Sequence, residues 1–197
     1  MKKIVFAFTM LMVCAAAMAQ TPKKVLDRTA AVVSNPGGIT ATFKMTGGLG
    51  NASGTISVKG KKFQASSPIA TVWFDGKTMW TYMKKNDEVS VTNPSDAQLQ
   101  KINPYNFINL YKKGYDMTMS SAAATHTVHL TAQGNQNIQE LFITVDKKSY
   151  QPTEVKLLQG KKWTTFTISN LKKVPMSDAS FKFSSKDYPT AEVIDLR

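Results

Sequence analysis

The stretch that most constrains the fold is residues 72–114, because a hairpin pattern there is followed directly by two helix starts. Apolar runs flank Asp75-Gly76, and these two residue types tolerate the positive φ angles of a two-residue type I′ turn. A second turn is predicted at residues 85–87, since alternation of apolar and polar residues resumes at Val89. The pattern therefore predicts antiparallel strands up to residue 92.

Two short amphipathic helices are predicted directly after this hairpin. Asn93 and Asn103 each precede a proline, so a capping side chain stands before a residue that suits the first helical position. Gly114 can adopt the left-handed conformation that ends a helix. The apolar residues on the predicted inner faces of these helices are Leu99, Ile102, Phe107 and Ile108. Helices inserted in this way into a meander predict a lid over a sheet.

One further helix and a series of strands are predicted outside this stretch. Residues 21–35 show helical spacing of apolar residues before the stop at Pro36-Gly37-Gly38. From Ile39 the period changes to two, which is typical of strands with one buried face. Strands are predicted after the lid at 115–120, 125–131, 138–146, 152–159, 163–170 and 181–183, with an extended end at 188–196. The sequence shows no repeat and no linker, so we expect one domain at 20–197.

The first nineteen residues have the pattern of a cleavable export signal. Lys2 and Lys3 precede an apolar run that is too short to span a bilayer, and Ala17-Met18-Ala19 supplies the small residues of a cleavage site. A lipidated Cys14 is the alternative, but Val13 stands where a small residue is needed. We therefore expect cleavage before Gln20 and a mature, exported chain without cysteine.

The chain is strongly basic, with a formal charge of +12 that falls to +10 when Lys2 and Lys3 are removed. Such a charge favours anionic partners, whether nucleic acid, phospholipid headgroups or an acidic protein surface. Export argues against nucleic acid. The lysines occur as scattered pairs near predicted turns, which is also typical of a well-solvated surface.

Catalytic and metal-binding patterns are not found in the sequence. His126 and His129 are three residues apart on a predicted strand, so they point to opposite faces and cannot hold one metal ion together. There is no nucleophile elbow, phosphate-binding loop or dinucleotide fingerprint. We therefore expect a binding protein without cofactor or metal, although carboxylates that meet in space would leave a hydrolase open.

The hairpin is rich in aromatic residues and methionine, from Trp73 and Phe74 to Trp80 and Met83. Ordinary core packing under helices explains such residues, since large apolar side chains usually lie inside. The alternative is a cavity, because methionine and aromatic walls adapt to flexible apolar ligands. Composition alone leaves both interpretations open.

The run Phe74 to Tyr82, FDGKTMWTY, resembles the periplasmic outer-membrane lipoprotein carrier proteins, the LolA family. Its motif is an Asp-Gly-Lys-Thr turn followed by an apolar residue, Trp and Tyr, and the order of elements agrees over nearly the whole mature chain. The resemblance implies a mainly β (α+β) fold, an open, incomplete antiparallel β-barrel with an N-terminal helix and a short helical lid. Its hydrophobic interior would take lipid acyl chains.

The resemblance, with strand alternation, predicts a ligand-binding set in the cavity and lid: Phe43, Met45, Ile56, Val58, Phe63, Ala65, Trp80, Leu99, Ile102, Phe107 and Ile108. One position departs from the family. An arginine after the strand-end lysine helps to hold the lid closed in the family, but Gly60 follows Lys59 here. Lys59 or Lys61 would substitute only in part, because an ammonium lacks the planar fork of arginine.

These features predict a periplasmic carrier, a monomer that moves acylated lipoproteins from an inner-membrane transporter to an outer-membrane acceptor. An envelope module of the same fold that binds or senses a lipid or glycolipid without shuttling is the alternative. The sequence does not separate the two.

Overall fold

A computed structural model describes residues 20–95, 98–99 and 110–197 of the chain. Within this part of the chain the N-terminal segment forms helix α1, Pro22–Val33. The Thr21 side chain accepts a hydrogen bond from the backbone N–H of Lys24, and Pro22 occupies the first turn, where a missing N–H costs nothing. The helix predicted at 21–35 is present, and its buried side chains include Val25, Leu26 and Val33.

The described residues form twelve strands in one sheet. The strands are β1 Ile39–Gly47, β2 Ala52–Lys59, β3 Lys62–Ser66, β4 Ala70–Phe74, β5 Met79–Met83, β6 Glu88–Thr92, β7 Tyr115–Ser121, β8 Thr125–Ala132, β9 Glu140–Asp146, β10 Pro152–Gln159, β11 Lys162–Lys173 and β12 Glu192–Asp195. Most of their bounds agree with the predicted strands within a few residues. The strand predicted at 181–183 is wrong, because a short 3-10 helix occupies Asp178–Phe181.

The sheet consists of two antiparallel meanders joined along one seam. Strands β1 to β6 form the first and β7 to β11 the second, and β1 pairs with β11 to connect them. Strand β12 adds to β6 in parallel. Since β6 and β7 stand at opposite ends of this order, residues 93–114 connect the two ends of an open sheet. The predicted mainly β, open antiparallel barrel with an N-terminal helix is confirmed.

One face of the curved sheet carries the core and is called the inner face. In the first cluster, Val25 and Leu26 of α1 pack with residues of the second meander such as Leu130 and Leu141. In the second cluster, Val33 packs with Val58, Phe63 and other residues of the first meander. The helix therefore covers the inner face of both meanders near their seam.

The hairpin at the centre of the predicted motif has a longer turn than expected. Phe74 pairs with Met79, so residues 75–78 form a four-residue loop. The Asp75 carboxylate accepts from the backbone N–H groups of Lys77 and Thr78, and only Gly76 of this loop has a positive φ. The prediction of a two-residue type I′ turn is wrong, because the Asp75 side chain satisfies the loop backbone instead.

The predicted lid lies mostly outside the described residues, including Ile102, Phe107 and Ile108. At its start, the Leu99 N–H donates to the Ser95 carbonyl at 2.9 Å, and the Gln98 side chain accepts from the Ser95 N–H at 2.8 Å. Ser95, rather than the predicted Asn93, is therefore the capping residue. Across residues 20–95, 98–99 and 110–197, no helix combines the length and apolar character needed to cross a membrane.

Candidate functional site

The inner face of the first meander contains an open cavity of about 440 Å³. Register places its walls: Met45 lies opposite Ala52 and Phe166, and Ala65 lies opposite Ile56 and Val72. Alternation along each strand therefore puts one apolar row after another on the same face. The lining residues are Phe43, Met45, Leu49, Ala52, Ile56, Phe63, Ala65, Ser66, Ser67, Ile69, Ala70, Val72 and Phe166.

The cavity wall is almost entirely apolar. Its only side-chain hydroxyls, among the described lining residues, belong to Ser66 and Ser67 at one end. The Ser67 hydroxyl donates to the Ala70 carbonyl at 3.0 Å, and the Ser66 hydroxyl lies 3.3 Å from that of Thr71. None of the described lining residues is ionisable. The site therefore has no charged group with which to perform acid–base chemistry, and it suits a ligand without polar groups.

Gly54 keeps the inner face open where β2 approaches the end of β3. Gly54 lies opposite Phe43, and a Cβ built at Gly54 would stand 1.9 Å from the Ser66 carbonyl oxygen. A side chain cannot fit there without moving backbone. The glycine therefore allows β3 to end close against β2 beside the cavity.

Five of the predicted ligand-binding residues line this cavity: Phe43, Met45, Ile56, Phe63 and Ala65. Val58 lies on the same face but is buried in the second core cluster, against which Leu99 also packs. Trp80 lies elsewhere, since it pairs with Trp73 and Val91 on the outer face. The period of two fixes this position, because the adjacent Met79 packs with the inner-face cluster.

The outer face at Trp80 is covered by the end of the chain. The Trp73 ring lies 5.8 Å from that of Phe183 and 5.5 Å from that of Tyr188, in edge-on geometry. Tyr82 and Tyr188 lie 4.6 Å apart. Aromatic residues of the hairpin thus divide between the two faces, and those on the outer face form a second, smaller packing layer with the C-terminal segment.

Sequence reasoning missed the two apolar residues at the mouth of the cavity. Leu49, in the β1–β2 turn, is 41% exposed, and Ile69, before β4, is 62% exposed. Both line the cavity. The available signal was a single large apolar residue within a turn, next to glycines in one case and after Pro68 in the other.

Lys59, one of the two candidates for the missing latch, contacts the C-terminal segment. Its ammonium donates to the Met176 carbonyl at 2.8 Å and to Asp178 at 3.1 Å, and Lys62 donates to the same carboxylate at 2.6 Å. The hydrogen bonds from Lys62 and Lys59 lower the pKa of Asp178. Gly60 has a φ of +59° in the β2–β3 turn, a conformation that an arginine adopts only with strain.

Helix α1 is tied to the chain that follows the lid. The Tyr111 hydroxyl donates to Asp27 at 2.6 Å, and Lys23 donates to the other oxygen of the carboxylate at 2.8 Å. These bonds, with that of Lys23 the larger, lower the pKa of Asp27, whereas burial raises the pKa of Tyr111. The link fixes one end of the helix beside the first core cluster.

The two histidines lie on opposite faces of β8, as predicted. His126 pairs with the buried Val145, whereas the ring of His129 stacks on Phe142 of the outer face at 4.0 Å. Burial and the nearby Lys147 lower the pKa of His126. In the part of the chain that the structure describes, no group of three or more acidic, histidine or cysteine side chains is arranged to hold a metal ion.

Comparison with solved structures shows the same fold in other proteins. An uncharacterized conserved protein of Thermus thermophilus superposes with a TM-score of 0.61 at 14% identity, covering 89% of this chain and 99% of that one. A LolA superfamily protein of Nitrosomonas europaea gives 0.46 at 11% identity, with 84% and 99% covered. A Pseudomonas aeruginosa MucA/MucB complex gives 0.46 at 13% identity, with 84% and 62% covered.

Comparison with protein families gives one match over most of the chain. The matching model is described as outer membrane lipoprotein carrier protein LolA, and it covers residues 12–161. No curated protein matches the sequence at a significant level. The matched range includes the whole first meander, the cavity wall except Phe166, and the motif at 74–82, so the resemblance seen in the sequence is confirmed. The chain belongs to the LolA family of outer membrane lipoprotein carrier proteins.

Proposed function

We propose that this protein is a periplasmic carrier that encloses the acyl chains of a lipoprotein in its cavity and moves them from the inner to the outer membrane. The observation that carries the proposal is the apolar cavity of about 440 Å³ between two strand turns, whose described wall has no ionisable group. Its volume lies within the usual range of small-molecule sites, about 300–1,000 Å³.

The physical need for such a container is large. One sixteen-carbon chain exposed to water costs on the order of 12 kcal/mol, at about 0.8 kcal/mol for each methylene group. A lipoprotein released into the periplasm without cover would therefore aggregate or stay in its membrane of origin. A wall of methionine, phenylalanine and aliphatic side chains replaces the lipid environment without requiring a fixed ligand conformation.

The compartment and the partners follow from the same argument. The export signal expected at residues 1–19 would place residues 20–197 in the periplasm as one lipid-binding domain and a monomer. Cargo would be received from an inner-membrane transporter and delivered to an outer-membrane acceptor. The described wall of the cavity offers no acid–base pair that would activate a hydroxyl, so the protein binds its ligand without chemical conversion and without cofactor, metal or nucleic acid.

Mass spectrometry of gently purified protein under native conditions tests the proposal. The expected result is a bound acylated peptide or lipoprotein that is lost on denaturation. Met45→Gln should lower this occupancy, because it places an amide in the cavity wall. Thr46→Gln is the matched control, since Thr46 is the next residue of β1 and is exposed on the outer face.

The same experiment separates the alternative function. A single defined free lipid or glycolipid, bound by wild type and lost in Met45→Gln, would indicate a lipid-binding or sensing module rather than a carrier. A protein that takes up no acyl compound, even when it is offered in excess, would contradict both functions.

A further inference from the structure

Two apolar side chains project at the mouth of the cavity. Because the strands are antiparallel, the β1–β2, β3–β4, β5–β6 and β10–β11 turns all lie at the same edge of the sheet, called here the mouth edge. Leu49 and Ile69 belong to the first two of these turns and are both exposed. A large exposed aliphatic side chain at a binding-site entrance indicates a contact with an apolar partner.

The Ile69 side chain is presented on a firmly held backbone. The Ser67 N–H donates to the Ala70 carbonyl at 2.8 Å and closes the turn, while the Lys84 N–H donates to the Ile69 carbonyl at 3.1 Å. The Lys84 ammonium also donates to the Ser67 carbonyl at 2.8 Å. The position of the side chain is therefore fixed by three bonds that do not involve it.

The Leu49 turn is held in the same way. The Leu49 N–H donates to the Thr164 hydroxyl at 3.1 Å, and the Gly48 N–H donates to the Trp163 carbonyl at 2.8 Å. The Lys162 side chain lies directly beside Gly48, where an added Cβ would meet it at 2.3 Å. Each apolar tip thus has a lysine next to it.

Further charges at the mouth edge are mainly positive. Lys85 follows Lys84 in the β5–β6 turn, and Lys161 precedes Lys162 in the β10–β11 turn. Of the acidic residues near these turns, Asp87 faces the outer side, where it accepts from the Tyr82 hydroxyl at 2.9 Å, and Glu88 begins β6. Aliphatic tips flanked by lysines match the two layers of an anionic bilayer surface, acyl chains beneath negative headgroups.

We propose that the mouth edge docks directly on an anionic phospholipid bilayer, with Ile69 and Leu49 inserted among the lipids and Lys84 and Lys162 against the headgroups. The inference rests on the proposed function, because a carrier has to bring its cavity to the membrane that supplies or receives the acyl chain. Docking through the mouth would let the chain pass between bilayer and cavity without crossing water.

Vesicle sedimentation tests the docking. The mature protein should bind vesicles of phosphatidylglycerol and phosphatidylethanolamine more tightly than vesicles of phosphatidylcholine, and added salt should weaken the difference. Ile69→Asp should lower binding at least tenfold, because it removes an inserted aliphatic side chain and adds repulsion. Lys84→Gln should lower binding about fivefold, which corresponds to about 1 kcal/mol for one lysine near an anionic surface.

Matched controls are available elsewhere on the molecule. Leu196 has the same exposed fraction as Ile69, 62%, but lies beyond β12, so Leu196→Asp should bind vesicles as wild type does. Lys61 is in the β2–β3 turn at the opposite edge, so Lys61→Gln should also have no effect. Ile69→Trp should raise vesicle affinity, because tryptophan favours the membrane interface. It provides a test that does not depend on loss of binding.

The outcomes are distinct from those of the proposed function. Each variant is also titrated with a fluorescent fatty acid in the absence of vesicles. If Ile69→Asp binds the probe but not the vesicles, docking is supported. If wild type binds no vesicles at low salt, or Ile69→Asp binds as well as Leu196→Asp, the docking proposal is wrong and delivery through a protein acceptor is favoured, while binding of the probe still supports the carrier.

Discussion

Filling the cavity should weaken acyl binding without unfolding the protein. Ala52 is on the inner face opposite Met45 and lines the cavity, whereas the next residue, Ser53, is exposed on the outer face opposite Lys44. Ala52→Trp therefore directs an indole into the cavity, and Ser53→Trp directs the same group into solvent. The pair differs only in the face of β2 that receives the new side chain.

The expected magnitude follows from the space that the indole takes. If it displaces about four methylene groups of a bound chain from a cavity of about 440 Å³, at about 0.8 kcal/mol each the chain loses about 3 kcal/mol, a factor of about one hundred in Kd. Titration with a sixteen-carbon fluorescent fatty acid measures this loss. Shorter probes that still fit beside the indole should lose less affinity.

The control decides whether the effect belongs to the cavity. Ser53→Trp should change Kd by less than about twofold, and thermal unfolding of both variants should remain cooperative. Equal loss of affinity in both variants, or unchanged affinity in Ala52→Trp, would show that acyl chains do not occupy this cavity. A chain-length dependence that is the same in wild type and Ala52→Trp would also contradict the reasoning.

Two further predictions concern stability. Tyr115→Phe removes a buried hydroxyl that donates to the Ile138 carbonyl at 2.9 Å, so the free energy of unfolding should fall by about 1–2 kcal/mol and Tm by about 3–6 °C in a calorimetric scan; an unchanged Tm would contradict the bond. The pKa of Asp27 is lowered in the folded state by Lys23 and Tyr111, so its contribution to stability is present above the unfolded value of about 3.9 and is lost as pH falls through the lower folded pKa. Urea titrations between pH 5 and pH 2 should therefore show a shallower loss of stability in Asp27→Asn than in wild type.

Much of the sheet could be predicted from local patterns. Alternation from Ile39 to Met45 places both ends of β1 correctly within two residues, and the turn formers at Gly60 and Gly160 mark real hairpins with positive φ. Such patterns act over a few residues, where backbone sterics and the period of two decide the structure. The family resemblance rested on a turn of the same local kind.

Trp80 shows where local reasoning ends. The hairpin has large apolar residues on both of its faces, so alternation alone did not show which row meets the cavity. The answer depends on Phe183 and Tyr188, about one hundred residues further along the chain, which cover the outer face at Trp73 and Tyr82. Burial of one row by a distant segment is not encoded in the hairpin itself.

The latch shows the same limit. Gly60 was visible as a departure from the family, but the sequence did not show that Lys59 contacts Asp178. The two residues lie far apart in the chain, and their contact exists only because the C-terminal segment crosses the outer face beside β3. The ion pair therefore belongs to tertiary packing and not to the strand that carries the lysine.

The sequence by itself determined a sheet of short antiparallel strands, a first helix, the family, and one row of apolar residues on β1 to β3, because each of these depends on neighbours a few residues apart. Only the tertiary structure decided that β1 pairs with β11, so that Phe166 closes the cavity beside Met45. It also decided that Leu49 and Ile69 lie together at the mouth with a lysine beside each. Those contacts join residues far apart in the chain, and the order of strands in the sheet brings them together.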